Sequence, residues 1–141
     1  LEDIDLNHKP DELQAYLLIE SLKFYNSEIS KRRKLISYYK KKLINKVIWC
    51  NHDTTKSSCY DFQILVKNRD KLYKYLINKK IEVRIKHPIL MSEQKIFKSK
   101  DYDLTNSKFI VKHKISLPLH KRMTFKDIDY ITDNIRKFYR N

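Results

Sequence analysis

Apolar side chains recur between Pro10 and Lys46 at alternating three- and four-residue steps: Ala15, Leu18, Leu22, Tyr25, Ile29, Ile36, Tyr39 and Leu43, with Arg32 interrupting. That spacing lines one face and predicts a single long helix over this stretch. Leu13, Leu17, Phe24 and Leu35 widen the stripe. A widened stripe broken at Arg32 suits packing against a sheet better than a coiled-coil seam. Pro10 fits the first turn, and Asp11 and Glu12 favour the positive end of the helix dipole.

Beyond this helix the period shortens. Val47 to Cys50 predicts a short strand, Asn51 to Ser58 a polar loop, and Cys59 to Val66 ("CYDFQILV") a strand. Asp70 to Asn78 predicts a helix with Leu72, Tyr75 and Leu76 inward. Ile81 to Ile85 alternates apolar and charged, as a half-exposed strand does, and Pro88 ends it. A helix over Asp101 to Lys112 and a short strand over Ile115 to Leu117 follow. Thr124 then caps the last helix, with Asp127 three residues on, close to a capping box. Ile128, Ile131, Ile135 and Phe138 line the buried side of that helix. The order helix, strand, strand, helix, strand, helix, strand, helix predicts an α+β fold. A small, mostly antiparallel sheet of three to four strands carries helices packed on it, in one domain. No internal repeat, low-complexity tract or linker interrupts it.

Composition narrows the picture. The chain has 141 residues, enough for one real core but not for two large ones. It starts at Leu1, which is expected of a piece of a longer protein or of a processed chain. No apolar run reaches bilayer length and no signal-peptide pattern is present, so no membrane partner is expected. Two cysteines, Cys50 and Cys59, make no disulfide scaffold, and a reducing cytoplasm is the expected location. Cys50, His52 and Cys59 match no zinc spacing and lack a fourth ligand, so no metal is expected.

The net charge of +14 raises nucleic-acid binding as an alternative function. The basic residues are spread along the chain, however. The clusters Lys31 to Lys34 and Lys40 to Lys42 fall on the polar side of the helix pattern, where lysine keeps a surface wet. Tyrosines and phenylalanines sit at helix or strand spacing and read as core before they read as base-stacking platforms. His120, beside a proline turn, reads as structural. Glycine is absent altogether.

Four strings carry a family resemblance, in order and on the expected elements. "NHKPDELQA" (Asn7 to Ala15) supplies Asn7, Glu12, Gln14 and Ala15, with Lys9 where an Arg is usual. "SKRRKLISYYKKKL" forms the body of the long helix. "NRDKLYKYLINKKIEVRIKHPILMSEQKIF" (Asn68 to Phe97) opens with Arg-Asp-x-Leu and supplies Pro88, Gln94 and Phe97. In it, Lys80 stands where a Gly is usual, and Lys86 and His87 where a His-Tyr pair is usual. "SLPLHKRMTFKDIDYI" supplies Ser116, Leu117, Pro118, His120, Asp127 and Ile128. Nearly the whole chain thereby resembles the C-terminal small domain of the DegT/StrS-type nucleotide-sugar aminotransferases. These are pyridoxal-phosphate enzymes of the aspartate aminotransferase fold (fold type I).

The resemblance implies a part of an enzyme that transfers an amino group, with glutamate as donor, to a keto nucleotide-sugar in amino-sugar or polysaccharide biosynthesis. It implies a homodimer of the complete enzyme. The lysine that carries the cofactor would lie in a large domain absent from this chain, so the chain alone is expected to be inactive. Asn7 would reach the cofactor phosphate of the neighbouring subunit, an amide being a suitable donor to a phosphate oxygen. Lys9 would be a point charge near the sugar nucleotide, without the bidentate fork of an Arg. Lys86 and His87, with Arg84 leaning the same way along the strand, would meet the nucleotide-sugar from the opposite subunit. Besides the nucleic-acid module, the remaining alternative is a non-catalytic remnant that keeps only the dimerisation surface.

Overall fold

A computed structural model of the chain describes residues 10–43, 57–95, 97 and 103–140, together with the backbone of 48–49. Helix α1 spans Glu12–Lys42 and is capped by Asp11, whose carboxylate accepts from the Gln14 N–H at 2.7 Å. Asp11 is therefore the cap rather than a first-turn residue, and Pro10 lies just outside the helix. A short carboxylate in extended backbone satisfies an orphan N–H better than it could one turn further in. The predicted continuation from 44 to 46 lies outside the described residues.

The core forms around the second half of α1. Leu35, Ile36, Tyr39 and Leu43 are buried. The first half does not follow: Leu13, Leu17, Leu18 and Leu22 are all more than half exposed, as are Tyr16, Ile19 and Phe24. The expected stripe thus packs on the sheet only from Leu35 onward.

Strands β1 (Ile48–Trp49), β2 (Phe62–Leu65) and β3 (Lys114–Leu117) make an antiparallel sheet in that order. Gln63 faces Ser116 and Phe62 faces Leu117 across the β2–β3 pair. The strand expected over Cys59 to Val66 is clipped at its start because Cys59 takes a left-handed φ of 53°. The segment Ile81 to Ile85, expected as a strand, makes one bridge, Arg84 with Ser116, on the free edge of β3. Its alternation holds: Ile81 and Val83 are buried, while Glu82 and Arg84 point out.

Helix α2 (Arg69–Asn78) ends in a Schellman motif. The Ile81 N–H donates to the Leu76 carbonyl at 3.0 Å, and the Lys80 N–H to that of Ile77 at 2.9 Å. Lys80 pays for this with a φ of 60°, one of four left-handed non-glycine residues among the described residues, the others being Cys59, Asn68 and His87. The Pro88 region continues into a 3₁₀ turn at Met91–Glu93. Helix α3 covers Thr105–His113, with Asp103 accepting from the Thr105 N–H at 3.0 Å. Asp101, its expected start, lies outside the described residues. Arg69 at the head of α2 donates to the Val111 and Lys114 carbonyls at the tail of α3, at 3.3 and 3.4 Å.

Helix α4 (Phe125–Phe138) starts as its sequence predicts. The Thr124 N–H donates to Asp127 Oδ2 at 2.7 Å and the Asp127 N–H to Thr124 Oγ1 at 3.3 Å. Its buried side carries Ile128, Ile131, Thr132, Asn134 and Ile135. It packs on α1 and α2 over a core that includes Phe62, Ile64, Leu72, Leu76 and Ile115. Tyr39 joins the helical layer to the sheet: its ring lies 5.1 Å from that of Phe62, and its hydroxyl donates to the Pro118 carbonyl at 3.1 Å. This is the expected α+β arrangement, with the bridging segment at Arg84 in the place of a fourth strand. No helix of the described residues is long and apolar enough to cross a membrane.

Candidate functional site

A groove of about 520 Å³ opens on the outer edge of the sheet, between the Ile81–Lys86 segment, the residues before β2, the end of β3 and the face of α4. The sheet builds it. Arg84 and Ser116 exchange backbone hydrogen bonds at 3.1 and 2.8 Å, which fixes the segment beside β3. Because side chains alternate along extended backbone, the same face then presents Glu82, Arg84 and Lys86. All three line the groove, with Tyr60, Asp61 and His120 among the opposing residues.

Arg84 is held by its neighbour two residues back: Nη2 to Glu82 Oε1 is 2.5 Å and Nε to the same oxygen 3.1 Å. That pairing raises the Arg84 guanidinium and lowers the Glu82 carboxyl from their ordinary values. Both side chains remain well exposed, so the pair orients Arg84 more than it stabilises the fold.

Lys86 sits deeper. Its ammonium is 3.1 Å from Asp61 Oδ2 and 5.3 Å from the centre of the Tyr60 ring. Burial raises the Asp61 carboxyl. Hydrogen bonds from Gln63, Lys86 and Ser116, together with the Lys86 charge, outweigh that and hold it below the usual carboxylate range. The carboxylate therefore stays charged at neutral pH and pins the Lys86 cation over the ring.

Of the residues singled out in the sequence, Arg84 and Lys86 come together on one groove wall. His87, next in the chain, is exposed, takes a φ of 51° before Pro88 and lies off that wall. Asn7 and Lys9 lie outside the described residues. His120, read as structural, is exposed and lines the groove. Sequence reasoning missed Asp61, Tyr60 and Ser116. A lone carboxylate in the apolar run "CYDFQILV" was the available signal for Asp61, since an acid at such a position needs partners.

The described residues offer cations, an acceptor and an aromatic wall, but among them no lysine is buried. They fit the phosphate-bearing or sugar-bearing side of a ligand. They do not by themselves fit a whole pyridoxal pocket, which requires a desolvated amine. Among the described residues, no group of three or more His, Cys, Asp and Glu could hold a metal ion.

The sequence and the fold place the chain in a known class. It belongs to the DegT/DnrJ/EryC1/StrS aminotransferase family, which it matches over residues 2–136. A curated relative, the dTDP-3-amino-3,6-dideoxy-alpha-D-galactopyranose transaminase of Aneurinibacillus thermoaerophilus, is 24% identical over 136 residues. That alignment takes in 94% of this chain and 38% of the relative, so the chain spans well under half the relative's length. Among solved structures, a DegT/DnrJ/EryC1/StrS aminotransferase from Brucella abortus superimposes with a TM-score of 0.85 at 25% identity, over 92% of this chain and 36% of that one. The GDP-4-keto-6-deoxy-D-mannose-3-dehydratase of E. coli, solved with bound hydrated PLP, superimposes with a TM-score of 0.67 at 25% identity. That match covers 83% of this chain and 33% of the dehydratase.

Proposed function

We propose that this chain is the small, ligand-anchoring domain of a pyridoxal-phosphate-dependent aminotransferase that acts on a keto nucleotide-sugar. The observation that carries the reading is the family match over residues 2–136, joined to a groove in which Arg84 and Lys86 line one wall. Two cations on a fixed edge suit a diphosphate, each adding charge-assisted hydrogen bonds. Asn7 is assigned to the cofactor phosphate, and Lys9 and His87 to the sugar nucleotide alongside Arg84 and Lys86. The amino donor is glutamate and the complete enzyme a homodimer of the cytoplasm.

The cofactor supplies the electron sink for amino transfer when bound. What this chain contributes is anchoring. The absence of a buried lysine among the described residues supports placing the cofactor-bearing lysine in another domain. So does the first half of α1, whose exposed leucines and aromatics need a covering body. The relatives, with their much longer chains, carry the bulk to provide one.

The test is kinetic, in the full-length parent enzyme. Changing Arg84 and Lys86 together to Ala should raise KM for the keto nucleotide-sugar about tenfold and leave kcat within about twofold, the pattern of lost uniform binding. An unchanged KM removes both residues from the site.

A further inference from the structure

The groove contains a carboxylate to which the reading above gives no ligand. Three donors converge on one oxygen of Asp61: Gln63 Nε2 at 2.7 Å, Lys86 Nζ at 3.1 Å and Ser116 Oγ at 3.2 Å, all on Oδ2. Among the described residues no donor reaches Oδ1. The side chain is only 20% exposed, yet it lines the groove. Oδ1 is not among the buried side-chain atoms left without a partner, so it opens to the groove and is free to accept from a ligand that brings a donor.

The asymmetry is built into the sheet. Gln63 and Ser116 face each other across β2 and β3, and Ser116 is fixed on its other side by Arg84. Their side chains therefore approach Asp61 from set positions, and this settles which oxygen is used up. Beside it stand the Tyr60 ring, with the Lys86 ammonium over it, and Arg84 further along the same wall. Cations and an open acceptor thus share one surface. A bare phosphate meets the cations but is repelled by Asp61. A ligand carrying a hydroxyl close to its phosphate can meet both.

We propose that Asp61 is a specificity-determining residue of this groove, its Oδ1 accepting a hydrogen bond from a sugar-ring hydroxyl of a ligand whose phosphates lie against Lys86 and Arg84. This rests on the reading of the groove as a nucleotide-sugar site and adds the group that separates a sugar nucleotide from the bare nucleotide. Asp61 donates nothing to the reaction and touches no reacting atom. It sets which ligand is held.

The test is a difference in affinity, measured by amide NMR titration of the chain with thymidine diphosphate and with thymidine diphosphate glucose. The wild-type chain should bind the glucose form about tenfold more tightly, the worth of one charge-assisted hydrogen bond. In Asp61→Asn the three donors on Oδ2 require the amide oxygen to face them, which turns the amide NH₂ to the groove and replaces the acceptor by a donor. Asp61→Ala removes the group altogether. Both variants should bring the ratio of the two affinities close to one, with thymidine diphosphate itself bound no more weakly than by the wild type. Lys86→Ala should weaken both ligands and leave the ratio in place. The amide spectra of the same samples report whether each variant is folded, and Asp61→Asn, nearly isosteric, decides should Asp61→Ala unfold. A ratio in Asp61→Asn equal to that of the wild type overturns the role of Asp61 while leaving the groove an anion site. Wild-type spectra in which neither ligand moves the groove amides overturn the reading of the groove, and this inference with it.

Discussion

Lys42 and Asp129 form an ion pair at 2.6 Å that ties the end of α1 to the middle of α4. Tyr38 joins it from one turn earlier, its hydroxyl donating to the same carboxylate at 3.0 and 3.3 Å, with the Lys42 ammonium 5.1 Å above its ring. Arg136 on α4 donates back to the Lys42 carbonyl. The hydrogen bond from Lys42 is the main reason the Asp129 carboxyl titrates below its ordinary range, and the same bond raises Lys42.

A pH dependence follows with a definite sign. Asp129 has a depressed folded pKa, so its contribution to stability is complete above the unfolded carboxylate value of about 4 and is lost as pH falls through the folded value. Asp61, Glu82, Asp103 and Asp127 are depressed as well and act in the same direction. Urea unfolding should therefore show stability level from about pH 6 down to about pH 5 and dropping below about pH 4. Asp129→Asn should lower the neutral plateau and shallow the acid drop. An unchanged drop would mean that the α1–α4 clamp carries no linkage.

Lys80 holds a φ of 60° at the position after α2 where the Schellman motif favours glycine. A side chain in that conformation costs about 1–2 kcal/mol, part of which glycine gives back in unfolded-state entropy. Lys80→Gly should stabilise the chain by about 1 kcal/mol, seen as a higher urea midpoint with an unchanged slope. Destabilisation would mean that the Lys80 side chain contributes more than its backbone costs.

Tyr39 and Phe62 carry the junction between helices and sheet. Burial raises the Tyr39 phenol well above its ordinary value, with the Asp127 charge adding to the effect. Tyr39→Phe should cost about 1 kcal/mol, the loss of one hydrogen bond that leaves the Pro118 carbonyl unpaired. Phe62→Ala should cost about 3–5 kcal/mol by opening a cavity in a fully buried site. Thermal unfolding of both variants checks the ordering. Equal losses would contradict the packing described.

Exposed apolar residues on the first half of α1 give a prediction of opposite character. Leu18→Lys with Leu22→Lys should change the stability of the isolated chain by no more than about 0.5 kcal/mol, as both are more than half exposed. In the full-length parent the same pair should lower the melting temperature by several degrees, as expected of a face that the proposed further domain covers. Equal behaviour in the two settings would leave that face without a covering partner.

Legibility in the sequence followed how local the determinants were. Helix α4 was readable because Thr124, Asp127 and the isoleucine spacing all lie within a dozen residues. The second half of α1 was readable from its period, but nothing in that period says that Leu13 to Leu22 lie beyond the core, since apolar spacing records a need for burial and not its partner. The left-handed turn at Cys59 carries no glycine to announce it, and so the apolar run alone starts β2 too early. The segment at Arg84 alternates as a strand does, and only tertiary pairing limits it to a single bridge with Ser116. Asp61 and Ser116, 55 residues apart, meet through sheet register, which no local string encodes.

The most direct measurement adds pyridoxal phosphate, glutamate and a keto nucleotide-sugar to the 141-residue chain and, in parallel, to the full-length parent. The chain should give no stoichiometric visible absorbance and no amino-sugar, and the parent should give both. A stoichiometric band that disappears on replacing one lysine of this chain would contradict that expectation.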